Sequence, residues 1–584
     1  MKHAKKLLAL ALVFAMALAL AVPAFAAEGD TTIGGVTVPP FQDVSGSGED
    51  TADHVYTVYQ IFKGEFEDNL LTEIQWGSDV DGQKLVAALA GDEYIEAYNA
   101  LGPDSTQALT AETNPFKGIA YNEDHSDVSA DAVARVLAKM NLQEDSIEAR
   151  AFAQVVDNNK TGDGTAVPET GVVLTETGYY LMVDTMTAGE GVTGARNLYI
   201  LSAAAAGANY MPKAKTDVPK LDKQVANTND STGTTEWSDT AADYDIGDHV
   251  PFVLSGTVSN RYNDFKVYKY AFHDTLSDGL TLDYSEDNKD ALQVYINGTL
   301  IDASNYTVAV NGQSFSVTFS DLKTVENPVV SSDSVIRVLY TATLNENAVI
   351  GGIGNENKAH LEFSNDPNKT DDGTTGKTPD DIVTVFTFKL AVSKKGDDPA
   401  NPGAEPQPLD GAVFGLYKLV LGEDGTTIET LVKTLGLDEE GANTNINEFS
   451  FDGLDAGKYM LREETAPAGY NKAEDMYFEI VPNYNEEGKL VGLSVQEKEL
   501  NGEKVYAAMD KSGNLHVSAN GEPTFPMSGN VVAGAITADI LNLKGLQLPA
   551  TGGIGTTIFY VVGGILLVGA AVVLITKKRM SSAE

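Results

Sequence analysis

Short segments in which apolar and polar residues alternate recur along most of the chain, and they restrict what it can fold into. Glycine, aspartate or asparagine bounds most of these segments, as expected of strands that end in turns. Because successive side chains of a strand point to opposite faces, such segments build sheets with a buried face. The clearest examples lie at residues 55–64, 178–186, 268–274, 335–344, 386–395 and 457–464. The pattern predicts a mostly β chain built from tandem β-sandwich domains.

Helical periodicity is concentrated in one stretch, residues 128–156. Val133, Val136, Leu137 and Met140 recur there at the spacing of one helix face. We therefore expect helical insertions in the N-terminal domain of an otherwise β protein.

Both ends of the chain carry processing signals. Lysines precede an apolar stretch at 7–22, and small residues follow at 24–26. This order is typical of a secretory signal peptide, which we assign to residues 1–26. At the other end, an apolar run at 558–575 is long enough to cross a bilayer as a helix, and the basic residues 577–579 favour the cytoplasmic side.

A five-residue motif lies just before that C-terminal run. Its residues are Leu548, Pro549, Ala550, Thr551 and Gly552. The motif resembles the LPXTG sorting signal of Gram-positive surface proteins, which sortase transpeptidases read. The resemblance implies cleavage between Thr551 and Gly552, with transfer of the Thr551 carbonyl to an amine. We therefore expect a secreted, cell wall-anchored protein that its C-terminal transmembrane helix retains only transiently in the membrane.

Composition excludes several partners and sites. A formal net charge of −44 argues against nucleic acid as a partner. The chain has no cysteine, and its seven histidines include no close pair, so neither disulfides nor a zinc pattern is expected. The Asp-rich segment 364–381 lacks EF-hand spacing, which favours a solvated linker. We expect no cofactor and no metal, and leave a metal in the Asp-rich loops open.

Shifts in composition divide the mature chain. We predict a first domain at 28–212, a Pro- and Lys-rich linker at 213–218, a second domain at 219–382, a third at 383–545, and a sorting segment at 548–584.

In the third domain, a tyrosine-containing motif lies between a strand with lysines and a closing strand with an asparagine. Its matching positions are Tyr459, Leu461, Glu463, Ala466, Pro467, Gly469 and Tyr470. The motif resembles the E-box of CnaB-type (SpaA-like) isopeptide domains of Gram-positive pilins and adhesins, although Glu464 stands where that family usually has threonine. The resemblance implies an immunoglobulin-like sandwich with Lys394 as the amine, Glu463 as the catalytic acid and Asn542 as the carboxamide.

These residue types suit the formation of an amide between two side chains. A lysine attacks an amide only as the neutral amine, and burial lowers the pKa of an amine while it raises that of a carboxylic acid. A protonated acid can polarise the amide carbonyl and shuttle a proton while ammonia leaves. Because the reaction needs only proximity in the folded core, it occurs once per domain and does not make the chain a turnover enzyme.

Neighbouring lysines compete for the role of amine in the third domain. Strand alternation puts Lys394 on the same face as Phe388, which should point into the core. Lys395 and Lys389 fall on the opposite face, although Lys395 has the family's spacing to Asp397. We favour Lys394 and leave Lys395 open.

The second domain carries a different acidic motif. Its positions are Asp274, Leu276, Gly279 and Leu280. They resemble the D-x-L-x-x-G-L motif of D2 fimbrial (CnaA-type) isopeptide domains, in which the acid is an aspartate. The resemblance implies Lys223 as the amine, Asp274 as the catalytic acid and Asn357 as the carboxamide. Asn355 shares a strand face with Asn357 and stays an alternative.

The first domain resembles the N-terminal domain of backbone pilins. We identify no Lys, acid and Asn set in it and leave a third bond open. The segment after it resembles the pilin motif, whose lysine accepts the threonine of the sorting signal, although Ala214 replaces the usual asparagine. The resemblance implies Lys213 as the intersubunit donor, with Lys215 and Lys220 as alternatives.

Together these resemblances imply the backbone subunit of a covalently polymerised cell-surface pilus that supports adhesion. The implied partners are pilus-class and housekeeping sortases, identical subunits, tip and base pilins, peptidoglycan and a host surface ligand. The alternative is a monomeric wall-anchored adhesin or accessory pilin, which would need no donor lysine. An exported enzyme is disfavoured, since no serine-hydrolase or zinc-protease motif is present.

Overall fold

The protein is described here from a computed structural model. The described residues are 32–38, 48, 52–67, 70–101, 107–122, 126–140, 146–168, 171–186, 198–204, 209–210, 218–367, 374–397, 404–422, 424–518, 521–545 and 554–580. Sheets dominate the described chain, and the mostly β class predicted from the sequence is confirmed.

The N-terminal region combines one sheet with four helices. The sheet has the order β4-β3-β7-β8, with β5 beside β3, while β6 pairs with β9. Its strands are β3 (His54–Glu67), β4 (Leu70–Trp76), β5 (Thr165–Val167), β6 (Val172–Val173), β7 (Gly178–Met186), β8 (Leu198–Ala204) and β9 (Asn209–Tyr210). The helices are α1 (Gly82–Ala90), α2 (Asp92–Ala100), α3 (Ser126–Met140) and α4 (Ile147–Asn159).

Local sequence explains where two of these helices begin. The Asp81 side chain caps α1 by accepting hydrogen bonds from backbone N–H groups, and Ser146 does the same for α4. Helices α3 and α4 both fall within the helical stretch predicted around 128–156. Sequence periodicity did not single out α1 and α2, whose buried faces complete the same core.

A short hairpin precedes this region, with strands β1 (Thr32–Ile33) and β2 (Val36–Thr37). Ile33 and Val38 pack against Val253 and Leu339 of the next unit rather than against the N-terminal sheet. The beginning of the described chain therefore lies on the unit that follows the N-terminal region.

The middle sandwich consists of two seven-stranded sheets. One has the order β11-β10-β13-β20-β16-β17 with β15 beside β20, and the other has β12-β23-β21-β14-β19-β18 with β22 beside β21. The strands are β10 (Leu221–Asn229), β11 (Thr234–Ser238), β12 (Ala241–Asp243), β13 (His249–Thr257), β14 (Tyr270–Leu276), β15 (Leu280–Leu282), β16 (Leu292–Ile296), β17 (Thr299–Leu300), β18 (Thr307–Asn311), β19 (Ser314–Phe319), β20 (Val335–Leu344), β21 (Asn355–Ser364), β22 (Thr375–Lys377) and β23 (Asp381–Phe386). Buried side chains of both sheets form one core.

The C-terminal sandwich has two five-stranded sheets. Their orders are β25-β24-β35-β34, with β28 beside β24, and β27-β26-β29-β30-β31. A hairpin, β32-β33, extends from it. The strands are β24 (Phe388–Asp397), β25 (Gln407–Pro408), β26 (Val413–Leu421), β27 (Thr427–Leu435), β28 (Glu448–Leu454), β29 (Gly457–Thr465), β30 (Met476–Tyr484), β31 (Leu490–Val495), β32 (Glu497–Leu500), β33 (Glu503–Tyr506), β34 (Met527–Asn530) and β35 (Ala535–Leu543).

The two sandwiches meet without a linker. Strand β23 ends at Phe386 and β24 begins at Phe388, so a single buried residue, Thr387, separates them. The predicted boundary between residues 382 and 383 therefore falls inside β23. The Thr387 carbonyl accepts a hydrogen bond from the Gly351 N–H, which ties a loop of the middle sandwich to the junction.

The last described element is helix α5 (Ile554–Met580). Within the part of the chain that the structure describes, no helix combines the length and the apolar character needed to span a membrane.

Candidate functional site

Three side chains from the two sheets of the middle sandwich meet in its core. Lys223 lies on β10 of one sheet, while Asp274 and Asn357 lie on the paired strands β14 and β21 of the other. The Lys223 Nζ lies 2.5 Å from Asp274 Oδ2 and donates a hydrogen bond to Asn357 Oδ1 at 2.9 Å. All three residues are at most 1% exposed. The structure thus brings together the amine, acid and carboxamide predicted for the second domain.

A fourth polar side chain lies at the centre of this group. The Tyr340 hydroxyl donates to Asp274 Oδ2 at 2.6 Å and accepts hydrogen bonds from Lys223 Nζ at 3.0 Å and Asn357 Nδ2 at 2.9 Å. Sequence reasoning missed this residue. Strand alternation could have indicated it, because every second residue of β20 points into the core. These inward residues are Ile336, Val338, Tyr340, Ala342 and Leu344. Tyr340 is the one of the five whose side chain carries a polar group.

Burial sets the electrostatics of the middle site. It lowers the pKa of Lys223 and raises the pKa of Asp274, while the charge of each partner acts in the opposite direction. Burial also holds the pKa of Tyr340 well above its usual value, so its hydroxyl keeps its proton. The ring centroids of Phe252 and Tyr340 each lie 5.7 Å from the Lys223 Nζ, so aromatic rings line the surroundings of the amine. These surroundings favour a neutral amine beside a neutral acid.

The alternative carboxamide, Asn355, has other partners. Its Nδ2 donates to the backbone carbonyls of Val349 and Val385, and its Oδ1 accepts from the Val349 N–H. These bonds hold a loop to strand β23. Asn357, not Asn355, contacts the Lys223 amine.

The corresponding residues of the C-terminal sandwich are also buried together, but in another arrangement. Lys394 and Asn542 lie on the neighbouring parallel strands β24 and β35, and Glu463 reaches them from β29 of the facing sheet. Asn542 Nδ2 donates to both Glu463 oxygens, at 2.8 and 2.9 Å. The Lys394 Nζ lies 3.9 Å from Glu463 Oε1 and donates to the Ile540 carbonyl at 3.1 Å.

In this second group, no hydrogen bond of the described residues joins the Lys394 amine to the Asn542 side-chain carbonyl. Within the described residues, Asn542 Oδ1 has no hydrogen-bond partner. A half-turn of the amide about its terminal bond would aim this oxygen at the Glu463 carboxyl group. Burial lowers the pKa of Lys394 to about 8, although the charge of Glu463 acts in the opposite direction.

Lys395, the alternative amine, lies on the outer face of the same strand. Its Nζ forms a partly exposed ion pair with Asp539 at 2.7 Å. Arg462, a possible competitor for Glu463, contacts Asp475 instead, at 3.0 Å. Glu463 is therefore left to Asn542, Lys394 and the Ala473 N–H, which donates to it at 2.6 Å.

A third buried lysine has quite different partners, and sequence reasoning missed it. Lys418 of β26 contacts three carboxylates, with Nζ distances of 2.5 Å to Asp230, 2.6 Å to Asp245 and 2.9 Å to Asp455. Burial disfavours its ammonium, but the charges of Asp455 and Asp245 outweigh burial and raise the pKa of Lys418. Asp230 and Asp245 belong to the middle sandwich and Lys418 and Asp455 to the C-terminal one. This ammonium therefore joins the two sandwiches and is no nucleophile.

The remaining predicted residues divide into two groups. Lys213, Lys215, the signal peptide and the motif at 548–552 lie outside the described residues. Lys220 is described and exposed, directly before β10. Among the described residues, the buried lysines are Lys223, Lys394 and Lys418, so the described part of the N-terminal region has none.

Comparison with known proteins matches three segments of the chain to family models. A model of the Gram-positive pilin backbone subunit 2, Cna-B-like domain matches residues 246–367, a SpaA prealbumin-like fold domain matches 402–498, and an LPXTG cell wall anchor motif matches 544–582. The trypsin-resistant surface T6 protein of Streptococcus pyogenes serotype M6 is 25% identical over 413 residues, which cover 63% of this chain and 70% of that protein. The chain therefore carries the pilin backbone, SpaA prealbumin-like and LPXTG anchor domains of Gram-positive major pilins. The pilin is a structural subunit anchored to the cell wall rather than an enzyme.

Solved structures of pilins are also similar. The T6 backbone pilin of Streptococcus pyogenes serotype M6 aligns with a TM-score of 0.44 at 16% identity, over 85% of this chain and 100% of that one. The full-length major pilin SpaD of Corynebacterium diphtheriae aligns with a TM-score of 0.37 at 20% identity, over 67% of this chain and 86% of that one.

Proposed function

We propose that this pilin closes two intramolecular Lys–Asn isopeptide bonds, one in each sandwich, and is then polymerised head to tail. The observation that carries the first part is the contact of the buried Lys223 amine with both Asp274 and Asn357 Oδ1. Each bond forms when the neutral amine attacks the amide carbon and ammonia leaves. Lys394 and Asn542 are the second pair, with Glu463 as the acid. The domain limits predicted from composition are part of the same proposal, except that the boundary between the two sandwiches moves to Thr387, between β23 and β24.

Such bonds would suit a shaft under tension. A covalent link across a long loop restricts the unfolded chain, as a disulfide does, and stabilises the fold. This chain has no cysteine, and an amide link cannot be reduced. Each bonded sandwich would then transmit force without extending.

Polymerisation is proposed from two sequence segments, the sorting motif at 548–552 and the linker that contains Lys213. A pilus-class sortase would cleave after Thr551 and join its carbonyl to Lys213 of the next subunit. Because this joining never closes on itself, it produces an open fibre. The apolar run predicted at 558–575 would retain the precursor in the membrane until cleavage. A housekeeping sortase would finally attach the fibre to peptidoglycan, where tip and base pilins and a host ligand complete its role in adhesion.

Intact mass tests the bonds. The secreted chain should weigh less than its sequence by the mass of two ammonia molecules, and digestion should yield two branched peptides that contain the Lys223–Asn357 and Lys394–Asn542 pairs. An unmodified mass would refute both bonds.

Immunoblotting of wall extracts tests polymerisation. Wild-type cells should give a ladder of high mass that survives boiling in detergent, and Lys213→Ala should reduce it to monomer. A ladder that persists in this variant but disappears in Lys215→Ala or Lys220→Ala would move the donor lysine. A single wall-linked band in wild-type cells would show a monomeric adhesin or accessory pilin instead.

A further inference from the structure

Tyr340 is unusual among the buried tyrosines of the middle sandwich. The Tyr270 hydroxyl, which is equally buried, donates to the backbone carbonyl of Thr257 at 2.8 Å, the ordinary way to satisfy such a group. The Tyr340 hydroxyl instead contacts the three side chains of the proposed bond-forming group. Two of those contacts are with the nitrogens whose covalent bonds would change.

The acid of the middle site does not reach the leaving group directly. Among the hydrogen bonds of these described residues, Asp274 has none to Asn357, and the Tyr340 hydroxyl bridges the two. In the C-terminal sandwich, Glu463 contacts Asn542 Nδ2 itself, at 2.8 Å. Aspartate is one methylene shorter than glutamate, and the bridging hydroxyl spans that difference.

We propose that Tyr340 is a further catalytic residue of the middle sandwich, which relays a proton from Asp274 to the amide nitrogen that leaves as ammonia. The proposal rests on the isopeptide bond proposed above. It assigns to Tyr340 a role that the C-terminal site performs without a tyrosine.

The proton transfers balance around a single oxygen. The Lys223 Nζ, as a neutral amine, bonds to the Asn357 carbonyl carbon, and the carbonyl electrons move to Oδ1. The attack frees the lone pair of Nδ2, so the Tyr340 hydroxyl, which donates to Asp274 in the resting arrangement, turns towards that nitrogen. It gives its proton to Nδ2 and receives the proton that the neutral Asp274 carries on Oδ2. The carbon–Nδ2 bond then breaks, its electron pair stays on nitrogen, ammonia leaves and the carbonyl is restored. Asp274 Oδ2 takes the surplus proton from Nζ, so the acid ends as it began.

Tyr340→Phe tests the relay in the complete secreted chain. Unbridged chain is made by cell-free synthesis, held in urea and diluted into neutral buffer, and the loss of each ammonia is followed by mass, with peptide mapping to assign it. General acid catalysis contributes about 10²- to 10⁴-fold, so closure of the Lys223–Asn357 bond should slow by at least about 10²-fold. Closure of the Lys394–Asn542 bond in the same molecule should keep its rate.

Tyr270→Phe is the matched control, since it removes one hydroxyl from an equally buried ring and should leave both rates unchanged. Closure of the Lys223–Asn357 bond in Tyr340→Phe at the wild-type rate would overturn the relay. Absence of ammonia loss in the wild-type chain would instead refute the proposed bonds themselves.

A second measurement separates catalysis from support of the fold. Fluorotyrosine at position 340 keeps the hydroxyl and the ring but holds the proton less tightly, so a relay predicts a closure rate whose pH profile shifts to lower pH. A purely structural hydroxyl predicts an unchanged profile, which would also overturn the proposal. This readout remains available if Tyr340→Phe fails to fold.

Discussion

The two sandwiches bury the same three kinds of side chain but arrange them across different boundaries. In the middle sandwich the amine and the amide lie on opposite sheets, so a bond between Lys223 and Asn357 would tie the sheets together. In the C-terminal sandwich Lys394 and Asn542 lie on adjacent parallel strands of one sheet, and only the acid comes from the other sheet. The comparison teaches that the proposed chemistry needs only a buried amine beside an acid and an amide, while the fold decides which strands the proposed bond would connect.

The largest expected effect comes from removing each acid. Asp274→Asn and Glu463→Gln keep the side-chain volume but remove the group that moves the proton, so each should slow closure of its own bond by more than about 10²-fold. Each variant should therefore carry one ammonia more than wild type at harvest, measured by intact mass. The other sandwich of the same molecule serves as control, and loss of both bonds in either variant would contradict the independence of the two sites.

Loss of a bond should also lower stability. Lys223 and Asn357 are 134 residues apart, and the loop in the C-terminal sandwich is similarly long. Loop closure of this size is worth about 4–5 kcal/mol, so both acid variants should lose a similar free energy of unfolding. Equal losses would show that loop length, and not the strands that are joined, sets the thermodynamic effect.

The next effect is the pH dependence of closure in the C-terminal sandwich. Burial lowers the pKa of Lys394 to about 8 in the unbridged fold. Because only the neutral amine attacks, the closure rate should rise about tenfold per pH unit below that value and level off above it. Refolding of unbridged chain between pH 6 and 10, followed by mass, measures this. A rate independent of pH would contradict the assignment of Lys394 as the amine.

The same pKa predicts the sign of a stability change. In Asn542→Ala, which cannot close the bond, Lys394 binds fewer protons in the folded than in the unfolded state between pH 8 and 10.5. Stability of that variant should therefore rise with pH across this window, as measured by urea unfolding. The closure rate of the Lys223–Asn357 bond can be measured against pH in the same way. The same dependence on pH would show that the two arrangements shift the pKa of their amines to a similar extent.

Much of this arrangement could be predicted from local sequence. Alternation along β24 puts Lys394 on the face of Phe388, Leu390 and Val392, and the structure places all four in the core. The mostly β class followed from the same pattern. Helices α1 and α2 were not singled out, since their apolar faces are short.

Other parts of the sites depend on contacts that no local pattern contains. Asn355 and Asn357 share a strand face, and only the approach of Lys223 from the facing sheet distinguishes them. Tyr340 lies far from the motif residues in sequence, and alternation alone gives its inward direction but not its partners. The partners of Lys418 come from segments near 230, 245 and 455, in two different sandwiches, so the cluster exists only after both have folded and met.

The last of these effects concerns Lys418, whose cluster shows what a buried lysine does without an asparagine beside it. Lys418→Met should leave three carboxylates near the junction without their cation, at a cost of about 3–5 kcal/mol, as for breaking a buried ion pair. Both isopeptide bonds should still close, because neither site contains this residue. The variant should therefore lose the same two ammonia molecules as wild type but have a less stable junction, measured by protease cleavage between the sandwiches. Lys395→Met is the control, since its partly exposed pair with Asp539 is worth at most about 1 kcal/mol. Equal protease sensitivity of the two variants would contradict a stabilising role of the Lys418 ammonium, and loss of an isopeptide bond in Lys418→Met would show that the junction and the reactive sites depend on each other.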